Sequence, residues 1–159
     1  MRRFTQRFLP LFLLWSALPA LAADGPIIVD HTCRDLRLIP EAAIVTAKQN
    51  LHIAYGHTSH GSQLTDGMSG LVAFANGGGL GLTLPANIFA WNEGGSGGAL
   101  DLRDYAMDGD VGYYPAWVNN TRAYLGTPNP TTGRGNAHPD INVVIWSWCG
   151  QAASQTQAS

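Results

Sequence analysis

Residues 51–64 read LHIAYGHTSHGSQL, and this stretch decides the fold that we expect. A short apolar run ends at Gly56, a cluster of hydroxyl and imidazole side chains follows, and Gly61 leads into an amphipathic pattern. That order is typical of a strand, a tight turn that carries reactive side chains, and a helix whose N-terminus points at them. We therefore interpret Ser59, in the middle of the turn, as a candidate nucleophile.

The composition describes one globular domain. The chain has 159 residues, of which 45% are hydrophobic and 13% charged, with 19 glycines and a formal net charge of -2. These values are unlike those of a disordered or coiled-coil chain. The charge balance is not basic enough to indicate a nucleic-acid partner, so that class of function is excluded.

The N-terminus has the anatomy of a signal peptide. Arg2, Arg3 and Arg7 precede an apolar run at residues 8–18, and Ala20 and Ala22 form a small-x-small cleavage site. The apolar run is shorter than the ~20 residues that span a bilayer, which disfavours an uncleaved anchor. We expect residues 1–22 to be removed and residues 23–159 to be secreted or periplasmic, with no membrane contact after cleavage.

The cysteines are interpreted in the light of that compartment. Cys33 and Cys149 can form a disulfide in an exported chain, whereas cytosolic cysteines are more often separate thiols. A pair of unbridged thiols is the alternative, and the sequence leaves both open.

Hydrophobic periodicity predicts alternating helices and strands. A helix at residues 40–50 opens with Pro40, a strand covers 51–55, and a second helix runs from the turn to residue 76. Extended pieces are expected at 80–84 and 87–91, a flexible loop at 94–98, and a helix at 115–125. Residues 141–148 are almost all apolar, as in a parallel strand covered on both faces. The pattern predicts an α/β fold whose polar turns gather at the carboxyl edge of a parallel sheet.

Three blocks of sequence resemble those of SGNH/GDSL-type hydrolases. They are residues 55–61 (YGHTSHG), residues 109–112 (GDVG) before a helix, and residues 142–151 (NVVIWSWCGQ). The resemblance covers residues 51–151 and implies a three-layer α/β/α sandwich with a mainly parallel, flavodoxin-like sheet. This sequence departs from the family in having Thr58 where an aspartate is expected, and no Gly-x-Asn-Asp follows the last strand.

The resemblance also implies roles for individual residues. Ser59 would attack an acyl carbonyl, and its backbone N–H would form part of the oxyanion hole. Gly112, or alternatively Gly109, would supply a second backbone donor, and the amide of Gln151 would stand where the family has asparagine. The substrate would be a small ester or an acylated carbohydrate, and no cofactor or metal is expected.

The general base is the open question. A serine needs a partner within hydrogen-bond reach, usually a histidine, and the family's Asp-x-x-His is absent from this sequence. We expect the chain to be partial, with that pair beyond Ser159, a sheet incomplete at its C-terminus, and no activity on its own. His57 and His60 are the substitutes within the chain, and hydrogen bonding that shapes the turn is an equally reasonable role for both.

Other functions compete with the hydrolase. His57 and His60 could be half of a metal site whose further ligands would come from Asp66, Asp110 or His138. A non-catalytic carbohydrate-binding or adhesion module is the second alternative, although core packing is the better explanation for most of its aromatic residues. Those residues are Tyr113, Tyr114, Trp117, Trp146 and Trp148.

Overall fold

The computed structural model of the protein describes residues 28–109 and 114–148. The predicted signal peptide, Gly112, Gln151 and Cys149 lie outside these residues. No helix in the described ranges combines the length and the apolar character that crossing a bilayer requires.

The chain divides into two compact units, residues 1–34 and 35–159. In the described part of the first unit, Thr32 donates to the Asp30 carboxylate and Cys33 is exposed. Cys33 is a free thiol in the structure, which is the unbridged one of the two alternatives.

The second unit is built on a parallel sheet. Its strands are β1 (His52–His57), β2 (Trp91–Asn92), β3 (Leu100–Asp104) and β4 (Val143–Ser147). Their order is β2-β3-β1-β4 and every neighbouring pair is parallel, so β1 lies between β3 and β4. This sheet and the helices beside it confirm the predicted α/β fold.

Three α-helices fall close to their predicted positions. They are α1 (Glu41–Asn50), α2 (Ser62–Ala73) and α3 (Ala116–Leu125). Pro40 is the N-cap of α1 rather than its first residue, and α2 continues into a π-helical turn at Phe74–Gly78. Short 3-10 turns occupy Leu36–Leu38, Ser59–Gly61 and Ser96–Gly98.

The core forms against alternate residues of β1. Ile53 and Tyr55 pack with Leu102 of β3, and Met68 of α2 lies against this cluster. Ala54 packs in a second cluster, which Tyr124 of α3 contacts. Because successive side chains of a strand point to opposite faces, α2 and α3 contact residues of opposite orientation. The full three-layer arrangement stays a prediction.

The strand predicted at residues 80–84 is wrong. Gly81 has φ 62, and the Asn76 side chain bonds both the N–H and the carbonyl of Leu84. An amide side chain thus takes the backbone groups that a strand would pair with a neighbour. The sheet uses β2 and β3 instead, and β3 was not predicted.

The boundaries and the burial of two other strands also differ from expectation. β1 continues to His57, which is therefore a strand residue rather than part of the turn. β4 has only one strand neighbour in the described part of the chain, and its Val144 is 36% exposed. Val143 and Ile145 pack against one core cluster and Trp146 against the other, so both faces of β4 are partly covered in the described part of the chain.

The packing of Gly56 gives the first prediction. A Cβ on Gly56 would lie 2.5 Å from the Trp146 ring, and Gly56 is buried, so Gly56→Ala should destabilise the fold by about 1–3 kcal/mol. Gly67 in α2 is exposed and has nothing within 4 Å of such a Cβ. Gly67→Ala should therefore stabilise by about 0.5–1 kcal/mol through helix propensity. Urea unfolding of both variants measures the difference, and equal midpoints would contradict the packing described here.

Candidate active site at the carboxyl edge of the sheet

The order of the strands singles out the end of β1. From β1 the chain builds β2 and β3 on one side of that strand and then crosses to place β4 on the other side. Open parallel sheets bind ligands outside the carboxyl ends of the strands, at the point where the order reverses. The turn that carries Ser59 follows β1 at this point.

Ser59 has a strained backbone. Its φ is 39, and the only other non-glycine residue with positive φ in the described ranges is Tyr105. Such a conformation costs of order 1–3 kcal/mol and persists only where its surroundings impose it. Ser59 is exposed and opens the 3-10 turn that leads into α2, so its side chain lies near the positive end of the helix dipole.

Hydrogen bonds with β1 and with the start of α2 hold the turn in this conformation. The buried Tyr55 hydroxyl donates to the Gly61 carbonyl at 2.7 Å, and the Gly61 N–H donates to Thr58 at 2.9 Å. Ser62 Oγ donates to the Ser59 carbonyl at 3.1 Å. A Cβ on Gly61 would lie 2.2 Å from that of His57, so only glycine fits there. The turn is therefore tied to β1 and to the first residue of α2.

His57 is buried beneath the turn. Its Nε2 lies 2.7 Å from Asp104 Oδ1, and its ring contacts those of Tyr55 and Tyr105 at centroid distances of 4.5 and 4.0 Å. Its Nδ1 is buried and has no hydrogen-bond partner among the described residues. His57 therefore joins the end of β1 to the end of β3. This contact favours the turn-shaping role over the catalytic one, and the choice between these two roles stays a prediction.

His60 is placed differently. It is exposed, and its Nδ1 lies 3.5 Å from Ser59 Oγ. That distance is long for a hydrogen bond, but catalytic bonds are often loose without substrate and shorten in the reactive complex. His60 is thus the candidate base that contacts the candidate nucleophile.

A cavity of about 320 Å³ opens between the turn and β4, on the side of β1 where the strand order reverses. Aromatic and aliphatic side chains share its wall with polar ones. The lining includes Tyr55, His60, Gly61, Leu64, Ile145 and Ser147.

Two of the predicted oxyanion donors, Gly112 and Gln151, lie outside the described residues. Gly109, the alternative donor, has φ 95, and a Cβ there would lie 2.6 Å from the Asn120 amide. Asn120 in turn donates to the Asp108 carbonyl. Gly109 thus lies next to α3 and stays a candidate for the second oxyanion donor.

Asp104 and Tyr105 are site residues that the sequence analysis missed. Asp104 is the last residue of β3 and Tyr105 follows it, and the first four residues of the strand, LDLR, alternate apolar and charged side chains. Recognising that alternation as a strand would have placed an acidic and an aromatic residue at the same edge as Ser59.

Among the described residues, the histidines of the proposed metal site do not form a metal-binding group with Asp66, and Asp110 lies outside the described residues. In the described ranges, the group with metal-binding geometry is His52, Asp101 and Asp140, whose ligand atoms lie within 4.8 Å of one another. It lies at the amino end of β1 and β3, because His52 and Asp101 are partners in the sheet. Neither His57 nor His60 belongs to it.

Arg103 already supplies the positive charge in that group. Its guanidinium contacts both Asp101, at 3.4 Å, and Asp140. His138, another suggested ligand, lies 3.2 Å from Arg103 and stacks on Tyr124. The cluster is an ion-pair network that needs no metal to balance its charge.

The pKa of Asp101 follows from this network. Burial alone would raise it, but hydrogen bonds from His52, the Gly94 N–H and Arg103, together with the Arg103 charge, hold the pKa below the ordinary value of 3.8. Burial would lower the pKa of Arg103, but a side-chain hydrogen bond with Tyr124 and the carboxylates of Asp101 and Asp140 raise it overall.

Comparisons with protein-family models, with curated proteins and with solved structures return no match. The relationship to SGNH/GDSL-type hydrolases therefore stays a prediction from the sequence.

Asp101 should make the free energy of unfolding depend on pH in the acid range. Its folded pKa is lowered, so its contribution is fully present above pH 3.8 and is lost as the pH falls through the folded pKa. Asp101→Asn should lower stability near neutral pH by at least about 1.5 kcal/mol and flatten the loss below about pH 4. Urea midpoints at neutral and acid pH measure this, with Asp66→Asn on the exposed side of α2 as the control. Parallel pH curves for the parent and Asp101→Asn would contradict it.

Proposed function

We propose that the protein is an exported serine hydrolase of the esterase type, which acts through an acyl-enzyme on Ser59. The observation that carries the proposal is the exposed, strained Ser59 at the point where the strand order reverses. Backbone strain of this kind clusters at functional sites. The family resemblance of residues 51–151 points to the same serine.

The chemistry follows from the groups around the turn. Ser59 Oγ attacks the ester carbonyl while His60 accepts its proton, and His60 returns the proton to the leaving alcohol. Because His60 lies beside Ser59 within the chain, we propose that the chain hydrolyses esters itself, in place of the inactive partial chain expected from the absent Asp-x-x-His. Water then attacks the acyl-enzyme, releases the acid and restores Ser59. The helix dipole of α2 and the Ser59 N–H stabilise the negative charge that develops on the carbonyl oxygen.

The supporting residues have separate roles. Tyr55 and His57 hold the turn without entering the reaction, because the hydroxyl of one and the Nε2 of the other are bonded to Gly61 and Asp104. Gly112 and Gln151 are proposed as further oxyanion donors on the strength of the family resemblance. The adjoining cavity of about 320 Å³ is suited to the acyl group of a small ester.

The location outside the cytoplasm rests on the signal-peptide anatomy of residues 1–22. A flavodoxin-like, three-layer arrangement is proposed in the same way, from the resemblance and from the opposite-facing contacts of α2 and α3.

A non-catalytic carbohydrate-binding module is the second candidate. Trp146 donates to Thr121 and is half-buried, as is Trp117, so core packing accounts for both. Tyr114 and Trp148 are 75% and 50% exposed, although the Trp148 ring also contacts that of Trp117. These exposed rings favour carbohydrate contact with or without catalysis.

Covalent labelling tests the nucleophile. A fluorophosphonate should modify the protein at one serine, and peptide mapping should place the adduct on Ser59. Ser59→Ala should abolish labelling, whereas Ser69→Ala should label like the parent, because Ser69 is an exposed serine in the body of α2. An adduct elsewhere, or labelling of Ser59→Ala, would contradict the assignment of Ser59.

The rate of the same labelling tests the base. If His60 accepts the Ser59 proton, His60→Gln should slow labelling by about 10²–10⁴-fold, since that is the usual contribution of general-base catalysis. His52→Gln, at the opposite end of β1, is the control. Unchanged labelling in His60→Gln would mean that the base is another group and would leave Ser59 as the nucleophile.

A further inference from the structure

His57 has an unpaired polar atom in the interior of the protein. Its side chain is fully buried, its Nε2 is bonded to Asp104, and its Nδ1 has no hydrogen-bond partner among the described residues. Buried polar atoms are nearly always paired, so this nitrogen is unusual in the described part of the chain. The proposed reaction gives His57 no step, and catalysis therefore does not explain the unpaired nitrogen.

Two tyrosine rings pack on this imidazole. The centroid of the Tyr55 ring lies 4.5 Å from that of His57, and the centroid of the Tyr105 ring lies 4.0 Å from it. Tyr105 reaches this position through a left-handed backbone with φ 52. Its neighbours are fixed on β1, because Asp104 pairs with Tyr55 in the sheet and the Ala106 N–H donates to the Tyr55 carbonyl at 3.0 Å. The strained backbone at Tyr105 thus helps to close the imidazole off from water.

Asp104 determines which nitrogen of His57 carries the proton. An ionised carboxylate only accepts hydrogen bonds, so the 2.7 Å contact between Asp104 Oδ1 and His57 Nε2 places the proton on Nε2. In the neutral ring the other nitrogen, Nδ1, then has a lone pair and no proton. The contact with Asp104 therefore fixes one tautomer of the buried imidazole.

The unprotonated Nδ1 faces the turn that carries Ser59. A Cβ built on Gly61 would lie 2.6 Å from His57 Nδ1 and 2.2 Å from His57 Cβ, so the side chain packs directly against Gly61. A proton on Nδ1 would bury an N–H group without an acceptor at this contact, which costs free energy. The tautomer that Asp104 selects is thus the one that the packing against Gly61 accommodates.

Gly61 links the position of the imidazole to Ser59. Ser59 and Gly61 are the first and last residues of one 3-10 turn. The Gly61 N–H donates to the Thr58 carbonyl at 2.9 Å, and the Gly61 carbonyl accepts from the Tyr55 hydroxyl at 2.7 Å. Because both backbone polar groups of Gly61 are bonded, a shift of the imidazole against it must be taken up by the turn, in which Ser59 has φ 39.

We infer that Asp104 is a positioning residue for Ser59. Its carboxylate holds the Nε2-protonated tautomer of His57, and that tautomer holds the turn in the conformation that presents the serine. The effect on activity rests on the proposed hydrolase function, whereas the effect on the Ser59 backbone does not. Asp104 acts through His57 and Gly61, touches no reacting atom and exchanges no proton in the reaction.

Two substitutions of Asp104 test the tautomer. Asp104→Asn keeps the shape of the side chain but offers an N–H donor to Nε2, and Asp104→Leu removes the acceptor altogether. Nitrogen NMR of the His57 ring should show a proton on Nε2 in the parent and a proton on Nδ1 in at least part of the molecules of both variants. The three-bond HN–Hα coupling of Ser59, which reports φ, should change with it. Asp104→Glu, which keeps a carboxylate, should restore both parent values.

The rate of fluorophosphonate labelling is the second measurement. A displacement of about 1 Å at a reacting group costs about 10²-fold in rate, so Asp104→Asn should slow labelling of Ser59 by about 10–10²-fold. The kcat of ester hydrolysis should fall equally while KM stays unchanged, because Asp104 does not touch the substrate.

Asp101→Asn is the matched control. Asp101 contacts His52 at 2.8 Å, and this histidine–aspartate pair joins the same two strands at the opposite edge of the sheet. Asp101→Asn should therefore lower the urea midpoint and still label Ser59 at the parent rate wherever it is folded.

The outcomes separate this inference from the proposed function. A parent-like His57 tautomer, Ser59 coupling and labelling rate in folded Asp104→Asn and Asp104→Leu would overturn the positioning role. Equal slowing of labelling in Asp104→Asn and Asp101→Asn would overturn it too, since that result indicates a general loss of stability. A parent chain that takes no label at Ser59 would instead overturn the proposed function, and the two NMR measurements would still decide whether Asp104 controls the Ser59 backbone.

Discussion

The parallel pairing of β1 with both β3 and β4 is the constraint on which the rest of the structure depends. It places the end of β1 between two other strand ends, so every residue that follows these strands meets at one edge. The pairing with β4 requires Gly56, because the Trp146 ring occupies the place of a side chain. The pairing with β3 is reinforced at both ends by a histidine–aspartate contact, His52 with Asp101 and His57 with Asp104.

The two histidine–aspartate contacts have different consequences. At the amino edge, Asp101 is enclosed by His52 and Arg103, so the charge is balanced within the network and the contact serves stability. At the carboxyl edge, the His57–Asp104 contact lies directly under the turn, against Gly61. It supports a strained backbone that carries an exposed serine. The same type of contact thus stabilises one edge and shapes the proposed site at the other.

An element of this fold can be predicted from the sequence where the pattern that specifies it lies in neighbouring residues. The turn at Ser59 and all three helices follow from apolar periodicity and from Gly61, which are properties of neighbouring residues. β3 was missed because Asp101 is buried, and its burial depends on partners far along the chain, His52 and Arg103 among them. The exposure of Tyr105, which follows β3, could not be predicted for the same reason.

The roles of the two histidines show the same limit. His57 and His60 have equal claims in the sequence, because each lies within two residues of Ser59. The length of β1 gives the two histidines different positions. His57 is the last residue of the strand and contacts Asp104, whereas His60 lies in the 3-10 turn beside Ser59. A difference of two residues in the end of a strand thus decides which imidazole can meet the serine.

The most direct test of the central claim is the rate of ester hydrolysis by Ser59→Ala compared with that of the parent chain. If Ser59 is the nucleophile, the substitution should lower kcat by at least about 10³-fold, while urea unfolding shows that the fold is intact. A Ser59→Ala chain that is folded and hydrolyses esters at the parent rate would contradict the account.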